Sequence, residues 1–152
     1  MTGPSYVAVC GAGDATDAVA AVAEEVGRLL GGRGAVVVCG GLGGVMEAAC
    51  RGAKAAGGTT VGILPGTRRA DANRFVDVAL PTGLGEMRNP LVVRAADALI
   101  AIDGGAGTLS EVAFALKTGV PVAGIGTWDL TGVEMCESPA DAVAWVLMQV
   151  GG

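Results

Sequence analysis

Three glycine-rich turns carry most of the chemistry this chain can offer. They are Gly11-Ala12-Gly13, Gly40-Gly41-Leu42-Gly43-Gly44 and Gly104-Gly105-Ala106-Gly107-Thr108, and they hold many of the 27 glycines among 152 residues. Without a Cβ, a glycine reaches positive φ and lets backbone N–H groups close on a ligand. Each turn follows a short apolar run and precedes a helical pattern, so each adds the partial positive charge of a helix N-terminus. One such turn is ordinary strand-to-helix punctuation. Three in one sheet point to an anion cradle, most naturally for phosphate, with Gly11, Gly13, Gly41, Gly43, Gly44, Gly104, Gly105, Gly107 and Thr108 as its candidate residues.

Four further side chains stand near these turns. Arg88 precedes Asn89-Pro90, a good N-cap and first-turn pair, so its guanidinium lies just ahead of a helix and can fork onto a phosphate or carboxylate; the plainer alternative is a surface pair with Glu86. Thr108 and Glu111 have the T-x-x-E spacing of a capping box, which alone accounts for both residue types; Glu111 could instead act on a ligand. Asp103 ends its strand beside the third turn and either hydrogen-bonds a ligand or caps the turn. Asn73 could meet the amide edge of a heterocycle, next to Arg68, Arg69 and Arg74, which form either a lid or a solvated loop.

Absences remove other chemistry. With no histidine, Ser-His-Asp and Cys-His nucleophile systems and imidazole metal sites are excluded. Cys10, Cys39, Cys50 and Cys136 contain no C-x-x-C pair and read as small buried residues of a reducing compartment; no metal site is expected. The third glycine of the dinucleotide fingerprint is missing, as are the acidic residue closing the second strand and the Walker A lysine. The two lysines, Lys54 and Lys117, fall near helix C-termini, so neither suits a pyridoxal phosphate Schiff base. A net charge of −5 without a basic run argues against nucleic acid. No apolar run reaches the ~18 residues of a membrane span, and the first residues lack a signal-peptide pattern, so a cytoplasmic protein is expected.

The elements that must position these residues are legible as alternation. Tyr6–Cys10, Ala35–Cys39, Thr59–Leu64, Phe75–Leu80, Ala98–Ile102 and Pro121–Ile125 read as strands, apolar on both faces as parallel strands covered on both sides should be. Helical spacing runs from Asp14 to Leu30, from 44 to 56, and after Ser138-Pro139, an N-cap followed by a first-turn proline. The pattern predicts one α/β domain over residues 1–152: a doubly wound, mainly parallel sheet with helices on both faces, Rossmann-like, whose ligands lie at the carboxyl ends of the strands.

Taken together, Gly104 to Glu111 resembles the P-G-G-x-G-T-x-x-E signature of the LOG family, also known as "possible lysine decarboxylases". Arg88 resembles that family's R-K position and Gly40 to Met46 its G-G-x-x-G-L-M turn; the resemblance spans nearly the whole chain, nearest the small bacterial branch related to molybdenum cofactor carrier proteins. Two positions depart: Asn89 stands where the family has Lys, and Asp103 where it has Pro. The resemblance implies phosphate binding by Gly105, Gly107 and Thr108 and catalytic roles for Arg88 and Glu111. Two functions follow from it. One is a carrier or binding protein for a phosphorylated heterocycle, a nucleotide or molybdopterin-type cofactor, with no other cofactor required. The other is a nucleoside 5′-monophosphate phosphoribohydrolase that cleaves the N-glycosidic bond. Apolar helix faces, the low charge content and the resemblance together suggest a homodimer or larger homo-oligomer.

Overall fold

The computed structural model describes residues 3–151. Its strands are β1 (Tyr6–Gly11), β2 (Val36–Cys39), β3 (Thr59–Leu64), β4 (Val78–Pro81), β5 (Ala98–Ile102), β6 (Val122–Ile125) and β7 (Val133–Met135). Its α-helices are α1 (Asp17–Gly32), α2 (Val45–Ala55), α3 (Asn89–Arg94), α4 (Ala106–Thr118) and α5 (Pro139–Gly151). The strands form a single sheet in the order β4-β3-β2-β1-β5-β6-β7, and every neighbouring pair is parallel. The chain builds outward from β1 to β4, then returns to β1 and builds the other way from β5. The switch point is therefore between β1 and β5, where such sheets open a crevice for ligands.

Alternation along the strands feeds two cores. Val7, Val9, Val37 and Ile100 pack under α1, α2 and α5, while Ala8, Val38, Leu99 and Ala101 pack under α3 and α4. Burial on both faces is why these runs are apolar throughout. Helix α1 begins at Thr16, whose hydroxyl accepts the Val19 N–H at 3.2 Å, and α5 begins behind Ser138, whose hydroxyl accepts the Asp141 N–H at 3.1 Å. Helices α1 and α2 approach so closely that a Cβ on Gly27 would overlap the Ala49 carbonyl, and one on Gly52 the Glu24 carbonyl. Among the described residues no helix is long and apolar enough to cross a membrane.

Most strand ends fall within a residue of expectation; the start of the fourth strand and the presence of a seventh do not. The fourth strand starts at Val78 rather than Phe75, because side chains hold the approach to it: the Thr60 hydroxyl donates to Phe75 O at 2.6 Å, and Asp77 accepts from Thr60 N–H at 3.0 Å and from Lys54 Nζ at 2.9 Å. Strand β7 was not anticipated. Its three residues are largely exposed and carry no apolar run, so only pairing with β6 makes it a strand.

Candidate ligand site

A cavity of about 690 Å³ opens at the carboxyl end of the sheet over the β1/β5 switch point. On one side lie Gly11, Ala12 and Gly13 after β1, and on the other Gly105, Ala106, Gly107 and Thr108 at the start of α4. Arg88, Asn89 and Glu111 supply its charged and polar floor, with Cys10 beneath, and Leu42, Met46 and Met87 its apolar wall. The volume falls within the ~300–1,000 Å³ typical of small-molecule sites.

The start of α4 overturns the capping-box expectation. Gly105, not Thr108, is the N-cap, and no side chain caps the helix. The first helical bond is Leu109 N–H to Gly105 O at 3.0 Å, so the amides of Ala106, Gly107 and Thr108 have no carbonyl within the helix to bond. Thr108 is instead buried in the first turn, against Gly104, whose φ of 96° and lack of Cβ make room for it. Glu111, one turn further on, is released from any cap and faces Cys10 and the cavity. Burial pushes its carboxyl up from 4.5 to about 7, against the opposing pull of a hydrogen bond with Cys10 and of the Arg88 charge. The Cys10 thiol is pushed well up by its own burial and by the Glu111 charge beside it.

Arg88 is not a surface residue paired with Glu86: it is only 9% exposed. It sits at the end of a 3₁₀ turn, Gly85–Arg88, that runs straight into α3. Its Nε donates to Ile63 O at 2.9 Å and one Nη to Gly40 O at 3.4 Å, spanning the ends of β3 and β2, while the other Nη donates to Asn89 Oδ1. Three of the five guanidinium N–H groups are thus held by the protein, leaving two without a protein partner on a residue that lines the cavity. Gly40 permits this: a Cβ there would stand 2.5 Å from the guanidinium nitrogen.

The second glycine turn contributes less to the cavity than its composition suggests. The Val45 N–H at the start of α2 is taken by Ala12 O at 3.1 Å, and the Gly41 N–H by Cys39 Sγ at 3.3 Å. Of this turn only Gly40 and Leu42 line the cavity, and Gly41, Gly43 and Gly44 lie outside its wall; Gly44 lets α2 abut the Gly13 backbone, where a Cβ would collide. Gly104 and Asp103 lie outside it as well. Asp103 borders a separate 210 Å³ pocket with Val19, Val22 and Ile125. Asn73 is occupied structurally: its Nδ2 donates to Leu42 O at 2.9 Å and its Oδ1 accepts the Phe75 N–H at 3.0 Å. Arg68 pairs with Asp71 at 3.3 Å, Arg74 lies over the Phe75 ring, and none of Arg68, Arg69 and Arg74 lines the cavity.

Sequence reasoning placed Gly11, Gly13, Arg88, Gly105, Gly107, Thr108 and Glu111 at the site, and the structure brings these seven to one cavity. It passed over Cys10, Gly40 and Asn89. Cys10 carries no motif; Gly40 and Asn89 were visible beside residues already singled out. Cys39 and Cys50, 3.5 Å apart at sulfur, lie buried behind the turn as free thiols.

A parallel sheet, an uncapped helix start at its switch point and a buried arginine beside it define a Rossmann-like small-molecule-binding domain. Residues 4–148 match the SLOG cluster4 family, and the chain belongs to that family. Its relatives lie on both sides of the LOG resemblance. The molybdenum cofactor binding protein of the phototrophic bacterium Rippkaea orientalis superposes with a TM-score of 0.92 at 37% identity, over 99% of each chain. The molybdenum cofactor carrier protein of Chlamydomonas reinhardtii gives 0.90 at 33% identity, over 99% of this chain and 100% of that one. A cytokinin riboside 5′-monophosphate phosphoribohydrolase of Mycobacterium tuberculosis is 37% identical over 117 residues, 74% of this chain and 62% of that protein.

Proposed function

We propose that the protein binds and carries a phosphorylated heterocycle, of the molybdopterin type or a nucleotide, in the β1/β5 cavity. The observation that carries this reading is the pairing of an uncapped α4 start with a buried arginine that keeps two donors for a ligand. A phosphate would meet the amides of Ala106, Gly107 and Thr108, where helix geometry supplies donors and positive potential. The heterocycle would lie toward Leu42, Met46 and Met87, with Arg88 and Glu111 offering donors and an acceptor to its polar edge. Gly11 and Gly13 line the opposite wall, where Gly11 has no Cβ to collide with Val45. The likeness to two molybdenum cofactor proteins over the full chain supports a carrier.

Asn89 also favours binding over turnover. Its carboxamide accepts from Arg88 and fixes the guanidinium against the sheet, at a position where the LOG signature has a lysine, which could accept nothing. The hydrolase reading draws on a different observation, the carboxyl of Glu111 raised to about 7 within the cavity, a value suited to proton transfer near neutrality. In that reading Glu111 would activate water and Arg88 would orient the phosphate or ribose. No resident cofactor or metal enters either scheme, and a second copy of the chain is the proposed partner in solution.

Mass spectrometry of the small molecules retained after gentle purification, with calorimetric titration of a nucleoside 5′-monophosphate panel, tests the choice. A carrier retains or binds a phosphorylated heterocycle, and every added nucleotide is recovered intact. Release of free base with ribose 5-phosphate, lost in Glu111→Gln, would overturn the carrier in favour of the hydrolase. Absence of any bound or binding phosphorylated heterocycle would overturn both.

A further inference from the structure

We propose that Trp128 is a positioning residue for the anion-binding loop and that, with Thr127, it couples the β6–β7 loop to occupancy of the cavity. The inference rests on the anion site proposed above. The Trp128 indole N–H donates to Gly105 O at 3.1 Å, and the Thr127 hydroxyl donates to Asp103 O at 2.6 Å. Neither side chain lines the cavity, and Trp128 is 41% exposed, so its ring is not placed there to fill the core.

The peptide plane turns these two bonds into a device. In a trans peptide the C=O and the following N–H point in opposite directions within one rigid plane. Holding Gly105 O therefore fixes the direction of the Ala106 N–H, on a residue that lines the cavity, and holding Asp103 O fixes the peptide plane that leads into Gly104. The loop needs that restraint. Asp103, with φ of 49°, is the one described non-glycine residue at positive φ, and Gly104 follows at 96°. Gly105 O already accepts the Leu109 N–H, so the indole fills its second lone pair and leaves the carbonyl no reason to rotate. The segment that supplies both donors is bounded by Gly126 and Gly132, at φ of 59° and 100°.

The test uses inorganic phosphate and AMP as probes of the full chain. Trp128→Phe keeps an aromatic ring and loses the donor; Thr127→Val keeps shape and loses the hydroxyl; Thr127→Ser retains it. Loss of one such bond should raise Kd for both probes about five- to tenfold in the Phe and Val variants, while the Ser variant binds as the parent does. In a Trp145→Phe background Trp128 is the sole indole, and its N–H resonance should move on addition of phosphate, a readout that stability alone does not shift. Parent-like binding by the Phe and Val variants, with an unmoved indole resonance, would overturn the coupling while leaving the anion site intact. Failure of the parent chain to bind either probe would overturn both.

Discussion

Glu111 offers the sharpest quantitative test, because its carboxyl is raised to about 7 chiefly by burial. Its ordinary value is 4.5, so the folded state holds the proton more tightly than the unfolded chain does. The sign follows: the stability contributed is fully present below about pH 4.5 and is lost as pH rises through about 7. A difference of this size corresponds to about 3 kcal/mol at full ionisation, of which about 2 kcal/mol falls between pH 5 and 7.5. Glu25 and Asp77 do not compete in this window. Both are held below their ordinary values, Glu25 chiefly by its hydrogen bond from Arg28, and Asp77, against the upward push of burial, by the hydrogen bonds and charge of Lys54 together with bonds from Thr60, so their contributions are complete above the usual carboxylate range. Urea unfolding of the parent chain should therefore show a midpoint about 1 M lower at pH 7.5 than at pH 5. Glu111→Gln, which mimics the protonated acid and keeps a carbonyl for the Cys10 thiol, should lose most of that slope and be the more stable protein at pH 7.5. Parallel pH dependences in the two proteins would refute the claim that Glu111 ionises at a desolvated site.

Other perturbations probe the frame around the cavity. Arg88→Met removes the donor to Ile63 O and Gly40 O and should cost about 2–4 kcal/mol in urea unfolding, because two buried carbonyls lose their partner. Gly40→Ala sets a Cβ 2.5 Å from the Arg88 guanidinium and 2.8 Å from Met46 Sδ; displacement of the guanidinium should weaken AMP binding about tenfold by calorimetry, the scale of one charged hydrogen bond. Gly27→Ala, far from the site, should destabilise by about 2 kcal/mol or more, since its Cβ meets the Ala49 backbone rather than a movable side chain, with AMP affinity unchanged in the folded fraction.

The contribution of sequence and of tertiary structure can be separated residue by residue. The apolar runs from Tyr6, Val36, Thr59, Ala98 and Val122 declare buried parallel strands because burial on both faces keeps the interior of each run apolar or small. The glycine turns declare strand-to-helix junctions for the same local reason. Thr108 and Glu111 show where local reading stops. Their spacing suits a cap, yet the N-cap falls three residues earlier, at Gly105, and the start of the helix decides whether a glutamate folds back or points down its flank. Phe75 and Asn73 show a similar limit, since bonds to Thr60 and Leu42, distant in sequence, settle their conformation.

By itself, then, the sequence determined a Rossmann-like α/β sheet, the absence of histidine chemistry, and the turns at which an anion could be held. Only the tertiary structure decided which of those turns line the cavity, that Arg88 is buried across the ends of β2 and β3, and that Glu111 meets Cys10 in a shared cavity. The physical reason is range. Hydrophobic periodicity and turn propensity act between neighbours along the chain, whereas desolvation of a carboxyl and the division of a guanidinium's donors depend on strands brought together by a switch in winding direction.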